Sequence, residues 1–474
     1  MNPLQRVRPE ETGIPPSAIL RFIEDMAERN MNLHSYMLLR HGKVAAEGYF
    51  SPFQRDMRHP VFSVSKSFTS AAIGIAIGEG LLSLDDKVIR FFPDKHPEQV
   101  HPYTADMSIR HLLSMQTVHR KSTNKDAGDI VYEYLHTPPS YPPGNVFAYD
   151  TTGTHTLCAI LQRVTGITVH EYLDSRLFQP LGMQEIEWET CPMGINQGGS
   201  GAYCTTEDMA KFGQLYLQDG VWNGIRILPE GWVQQSTSKA VDNSSAGILL
   251  EGRRGYGYQF WCGRHHSYCA FGAGGQLILV MPEQDAVFVS TANTMLNRDE
   301  HQGILDSVWT WIVPSMQESC ERDDAHYLKM KQDLDLLKLH LPEGSSNSPA
   351  AREISGIIYT LEPNESGWNA CSFHFHEECE MTLFKDTGSH TLSCPWNGWH
   401  VRPDLFFGMS SACGAVWVDE FTCLIHIQLL EQQQMFILTC RFSGRELVMQ
   451  IKPCGAFRTS HLDIVLVGQA LGPI

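Results

Sequence analysis

Ser63 and Lys66 stand three residues apart in His59-Pro60-Val61-Phe62-Ser63-Val64-Ser65-Lys66-Ser67-Phe68, which runs on into Thr69-Ser70-Ala71-Ala72-Ile73-Gly74-Ile75-Ala76-Ile77. Residues i and i+3 share one face of a helix, so an ammonium at 66 can reach a hydroxyl at 63. The first N–H groups of such a helix lack partners and add positive potential around Ser63. No charge follows Lys66 until Glu79, so the helix is expected to be buried. Burial disfavours the charged form of a lysine, lowers its pKa and leaves a neutral amine able to accept a proton. Four residues thus hold a nucleophile and its base. The plainer alternative is an N-cap serine with a lysine on a solvated face, and the motif alone does not separate the two.

Two further stretches carry chemistry. Tyr149-Asp150-Thr151 follows the rigid loop Pro138-Pro139-Ser140-Tyr141-Pro142-Pro143-Gly144-Asn145 and stands at the head of a helix. A tyrosine near an ammonium is expected to have a lowered pKa and to act as a general base. Ala270-Phe271-Gly272-Ala273-Gly274-Gly275-Gln276 leads into the apolar run Leu277 to Met281. Glycines there let a carbonyl group lie against the backbone and leave N–H groups to face a developing oxyanion. A core tyrosine and a β-bulge are the competing readings.

These stretches need elements to position them. Pro15 to Arg29 reads as a helix with Ile19, Phe22, Ile23 and Met26 on one face. Ser35 to Arg40 and Val44 to Phe50 flank the tight turn His41-Gly42-Lys43. Further helices are expected at Ile109 to Met115, Gly153 to Thr165, Val169 to Leu177, Glu207 to Gln218 and Ile304 to Val313. Thr205 with Asp208 reads as a capping box for the helix at Glu207. Gly255 to Trp261, Ala270 to Met281 and Ala286 to Thr291 read as strands. Pro342 to Pro349 has a linker composition, and short alternating runs follow from about Gly356, which predicts an all-β appendage of roughly six to eight strands.

Composition bounds the partners. The chain has 474 residues, enough for two or three domains, with 42% apolar and 19% charged residues. A net charge of −17 and a pI near 5.6 argue against nucleic acid and anionic membrane surfaces. No run approaches the ~18 apolar residues of a membrane span. The N-terminus shows no apolar secretory core, so a cytoplasmic location is expected, with the 13 cysteines as reduced, buried thiols. His374-Phe375-His376 with Cys379 raises a metal reading, but alternate strand positions more simply give surface histidines, and no metal or other cofactor is expected.

Taken together and in order, the motifs resemble the serine β-lactamase and penicillin-binding-protein-like superfamily. The branch is that of class C β-lactamases, DD-peptidases, esterases and 6-aminohexanoate-dimer hydrolases. Phe62 to Phe68 resembles its nucleophile motif, Tyr149-Asp150-Thr151 its Tyr-x-Asn, and Phe178 to Met183 its Pro-Leu-Gly-Met helix end. Gly201 to Ala210 and Gly220 to Pro229 resemble further signatures, over about residues 10–315.

The resemblance implies an α/β (α+β) domain with an antiparallel sheet flanked by helices and an all-helical insert at about residues 80–200. The expected division is a hydrolase domain at 1–320, a linker at 321–350 and a C-terminal all-β domain at 351–474 without an assigned role. It further implies Ser63 as acylated nucleophile, with Lys66 and Tyr149 sharing proton transfer. The backbone N–H groups of Ser63 and Gln276 would form the oxyanion hole, and Thr151, Gly274 and Gly275 would contact substrate. The sequence departs from the family where Ala273 replaces a Lys or His and Thr151 replaces Asn. Those departures favour a neutral ester or amide over a penicillin or D-Ala-D-Ala substrate. A β-lactamase or DD-peptidase is the first alternative, and an idle binding module that kept the fold the second.

Overall fold

The computed structural model describes residues 3–119, 128–183, 186–245, 250–296, 300–406, 409–455 and 463–471. The chain forms two compact units. One holds Met1–Gly48 and Arg58–Leu336, the other Tyr49–Met57 and Leu337–Ile474.

In the first unit the hairpin is β1 (Leu33–Arg40) and β2 (Lys43–Tyr49). Later strands are β3 (Trp261–Cys262), β4 (Tyr268–Gly272), β5 (Gln276–Met281) and β6 (Ala286–Ala292). They form one sheet in the order β2-β1-β6-β5-β4-β3. Pairing is antiparallel from β1 to β6, β5, β4 and β3 in turn. The two chain ends of the sheet therefore meet at its centre, where Leu38 faces Phe288 and Met37 faces Val289.

Helices cover both faces. They are α1 (Pro16–Glu28), α2 (Ser65–Gly78), α3 (Thr151–Thr165), α4 (Thr206–Leu217), α5 (Glu300–Ser307) and α6 (Asp324–Asp335). Phe22 of α1 packs edge-on against Tyr36 and Phe288, as its apolar periodicity predicts. Gly213 of α4 lies on the other face, where an added Cβ would stand 2.7 Å from Val287 and 2.9 Å from Ile278. The capping box at Thr205 and Asp208 is formed in both directions. Residues 80–200, expected to be all-helical, hold several helices, the longest α3, joined by long irregular segments and including a short strand at Glu187–Trp188.

Two strand expectations are corrected. Gly255 to Trp261 is irregular up to β3: Gln259 has φ 66°, and Tyr258 N–H donates to the Ser236 carbonyl instead of to a ladder. Alternating glycine and aromatic residues imitate a strand's period without its pairing. Ala270 to Met281 is two strands, β4 and β5, joined by a turn at Ala273-Gly274-Gly275. Within residues 321–350, read as linker, lies α6, which Arg8 anchors by an ion pair to Asp324 at 2.9 Å and by its guanidinium over Tyr327.

The second unit is an antiparallel sheet of ten strands among the described residues, from Ile358–Leu361 to Ile464–Ala470. The first strand pairs with both Ala370–Phe375 and the last. The excess over six to eight comes from strands such as Gly388–Pro395 and His400–Phe406, whose polar residues and prolines mask the alternation. A segment far upstream joins this unit, with Ser51 N–H donating to Leu337 O and Leu339 N–H to Ser51 O. All 13 cysteines are free thiols, and 11 are buried. Among the described residues no helix is long and apolar enough to cross a membrane.

Several histidines are sealed in the core. Burial holds His59, His155 and His426 down at about 4, and His34 well below its ordinary value, the last also through His59. Unfolding frees these imidazoles to take up protons near pH 6.5. Between about pH 6.5 and 4 the unfolded state binds more protons, so stability is full above that window and is lost as pH falls through it. His59, His155 and His426 each contribute on the order of 3 kcal/mol across the window. Urea melts at pH 7.5 and pH 5 should show a marked drop in midpoint at pH 5. Equal midpoints would show that these rings are not buried in the neutral form.

Candidate active site

Ser63 sits in a single 3-10 turn, Phe62–Val64, that leads directly into α2. Phe62 has φ 46°, a conformation bulky residues adopt only when their surroundings impose it. The turn is pinned on both sides by one residue. Val61 N–H donates to Ala202 O at 2.9 Å, and Ala202 N–H donates to Ser65 Oγ at 3.0 Å.

Lys66 is 1% exposed and is the reason the helix start matters. Its Nζ donates to Ser63 Oγ at 3.0 Å and to the Gly199 carbonyl at 2.6 Å. Gly199 must be a glycine here, since an added Cβ would stand 2.4 Å from Thr151 Cγ2 and 3.2 Å from Lys66 Nζ. Thr151, the first residue of α3, thus lines the wall beside the ammonium. The other hydroxyls of buried α2 are satisfied by irregular segments around it. Ser67 donates to Gln259 O, Ser70 to Tyr258 O and Thr69 to Gly198 O.

Tyr149 closes the site from the other side. Its ring centroid lies 4.9 Å from Lys66 Nζ, which itself contacts Ser63 Oγ. The ring stacks on Trp261 at 5.5 Å, and Tyr256 meets it edge-on. Packing among these rings pushes the phenol above its ordinary value, and the nearby Ser63 hydroxyl opposes this only in part. This corrects the expectation of a lowered pKa: loss of water dominates, and Tyr149 is a neutral phenol at pH 7.

Asp150 positions the tyrosine. Its carboxylate caps α3 by accepting from Thr152 N–H at 2.9 Å, and also accepts from Tyr134 OH at 2.8 Å and Thr117 Oγ1 at 3.1 Å. Gln259 joins the helices behind it. Its amide donates to Leu112 O and Leu113 O and accepts from Thr154 Oγ1.

The glycine stretch comes to the same place as the end of β4, a turn and the start of β5. Gly272 ends β4 against the nucleophile turn, where an added Cβ would stand 2.2 Å from Val61 O. Ala273, next in the chain, is half-exposed, while its neighbours from Ser267 to Met281 are buried. Gln276 starts β5, an inner strand with neighbours on both sides, and is 1% exposed. Gly275 packs inward, with an added Cβ 2.7 Å from Ala292 Cβ and 3.1 Å from Thr294 Cγ2. Gln276 and Gly275 are buried, Gly274 is buried in the turn, and Gly272 abuts the turn that holds Ser63. Arg264 is engaged with Glu251 at 2.6 Å and with Asp306, and His265 packs on Trp309.

Sequence reasoning did not single out Gly199, Asp150, Gln259 or His301. The only sequence signal for Gly199 is the Gly198-Gly199 pair, and for Asp150 the Asp-Thr-Thr helix start. Among the described residues no group of three His, Cys, Asp or Glu side chains is arranged to hold a metal.

Comparisons with known proteins agree with this geometry. The 6-aminohexanoate-dimer hydrolase of Paenarthrobacter ureafaciens is 26% identical over 312 residues, covering 60% of this chain and 79% of that protein. A Bacillus anthracis structure provisionally named a 6-aminohexanoate-dimer hydrolase shares the fold at TM-score 0.53 and 20% identity, over 71% of this chain and 88% of that one. The octameric penicillin-binding protein homologue of Pyrococcus abyssi shares it at TM-score 0.50 and 14% identity, over 95% of this chain and 99% of that one. The family model described as Beta-lactamase matches residues 21–306, more than half of the chain, and the protein therefore belongs to the Beta-lactamase family.

Proposed function

We propose that the protein is a serine hydrolase that works through an acyl-enzyme on a neutral ester or amide. The observation that carries this is the chain of contacts through Lys66: its Nζ lies 3.0 Å from Ser63 Oγ and 4.9 Å from the centre of the Tyr149 ring. Ser63 Oγ attacks the substrate carbonyl and gives its proton to the neutral Lys66 amine. Tyr149, a neutral phenol, passes a proton to the leaving group and is reprotonated from Lys66. Water then attacks the ester of Ser63 by the reverse path, and Ser63 recovers its proton. The oxyanion rests between Ser63 N–H and an N–H on the outer edge of β4, which we assign to the half-exposed Ala273 rather than to Gln276.

Ser63→Ala should abolish turnover with the fold intact, and fluorophosphonate labelling followed by intact mass should modify the wild type alone. An unlabelled wild type would favour the idle-module alternative. Lys66→Ala and Tyr149→Phe should each slow acylation by at least ~10². The rate should rise with pH as Lys66 loses its proton. Because Tyr149 is shifted upward, its own ionisation should cause no fall below about pH 10. An alkaline limb well below pH 10 that vanishes in Tyr149→Phe would show an acidic phenol instead.

Substrate choice follows from the side chain missing at Ala273. A penicillin brings a carboxylate into the cleft, where a charge-assisted hydrogen bond contributes about 1.5–3 kcal/mol. Without that partner the loss is roughly one to two powers of ten in kcat/KM. The engagement of Arg264 with Glu251 supports the view that no loop cation replaces it. p-Nitrophenyl esters should turn over well and nitrocefin poorly. Nitrocefin turnover equal to the best ester would favour the β-lactamase alternative.

A further inference from the structure

The turn Ala273-Gly274-Gly275 is tied down more thoroughly than a three-residue hairpin loop requires. Gly272 O is 2.5 Å from His301 Nε2, and Gly275 N–H points at the same nitrogen at 3.1 Å. Gln276 Nε2 donates to Ala273 O at 3.1 Å and to Ala292 O at 2.7 Å. Thr294 N–H donates to Gly274 O, and Ser290 Oγ to Gly275 O, each at 2.9 Å. Every carbonyl from Gly272 to Gly275 thus meets a donor fixed in β5, β6, α5 or the turn between the last two.

We infer that His301 and Gln276 are positioning residues that hold this turn as the second half of the oxyanion site, an inference that rests on the acyl-enzyme reading above. Donors that stabilise an oxyanion work because they are already aimed when charge develops. A loop with two glycines at φ 77° and 99° has no intrinsic preference for one orientation of its amides. Burial and side-chain bonds must supply it. His301 is 8% exposed and sits on α5, with Phe271 edge-on at 5.8 Å. The short contact with Gly272 O requires Nε2 to carry its proton, so His301 holds the turn as a donor to that carbonyl. Gln276 acts from the far side of the turn, its amide bridging Ala273 O and β6, where Ala292 N–H donates back to Oε1 at 3.3 Å. Neither side chain need touch substrate to do this. A donor misplaced by about 1 Å costs up to about 10² in rate.

The test compares wild type with His301→Ala, His301→Gln and Gln276→Leu on a p-nitrophenyl ester, with rates expressed per fluorophosphonate-titrated serine and melting temperatures measured beside them. A glutamine at 301 offers an N–H, so it can serve the contact with Gly272 O. Expected is a fall of at least 10-fold in kcat per titrated site for His301→Ala and Gln276→Leu. KM should stay within about threefold of wild type, and His301→Gln should recover most of the rate. A normal kcat per titrated site, with loss confined to melting temperature or titrated fraction, would overturn the inference and leave a structural role only. So would a loss confined to KM, or His301→Gln being no better than His301→Ala. A wild type that cannot be titrated at all would instead defeat the acyl-enzyme reading.

Discussion

An ammonium 1% exposed, inside a helix that is otherwise apolar or hydroxylic, is the constraint on which the first unit depends. Leaving Lys66 without partners would be prohibitive in so dry a setting. Its Nζ bonds the Ser63 hydroxyl from the turn before the helix and the Gly199 carbonyl from a segment more than a hundred residues later. The second fixes the first. With Nζ drawn to Gly199, its remaining protons have few directions left, and Ser63 lies in one of them. Gly199 can approach only because it lacks a side chain, and Thr151 then fills the space beside it. Burial and the Gly199 carbonyl together therefore fix where the Lys66 side chain points.

The same dryness acts on Tyr149, with the opposite consequence. Burial favours the neutral form of both groups, so it pushes an amine towards losing its proton and a phenol towards keeping it. A site with both has one base and one acid from a single physical cause, without a carboxylate in the proton path. Asp150, the nearest carboxylate in the chain, is spent elsewhere. It caps α3 and accepts from Tyr134 and Thr117. Its effect on Tyr149 is mechanical: it sets where the helix begins and so where the preceding ring stands.

How much of this was legible depends on how local each cause is. The Ser63–Lys66 contact is three residues long, and the hairpin, α1, α4 and its capping box are equally local, so sequence periodicity finds them. Irregular segments are where it fails. Gly255 to Trp261 has the period of a strand, but Gln259 bonds two helices, which no local pattern reveals. Tyr149 was correctly placed beside Lys66, yet its ionisation was read with the wrong sign. Charge is visible in a sequence, whereas the loss of water depends on everything packed around the hydroxyl. The β-turn at Ala273 to Gly275 was read as continuous strand because its glycines are flanked by apolar runs on both sides. Its carbonyls find donors at Ser290, Ala292, Thr294 and His301, residues that mean nothing until β6 and α5 are in place.

The two halves of the site are about 210 residues apart in the chain, and the contact that joins them is a backbone one. Gly272 lies so close to Val61 O that any side chain there would separate β4 from the nucleophile turn. On its own side the nucleophile turn is held by Ala202 and stores strain at Phe62. These anchoring contacts come from the backbone and from Ser65, not from Ser63 or Tyr149; under the proposed mechanism those two would change covalent state or charge without losing them. A site built the other way, with its reactive groups also serving as its struts, would come loose at the first proton transfer.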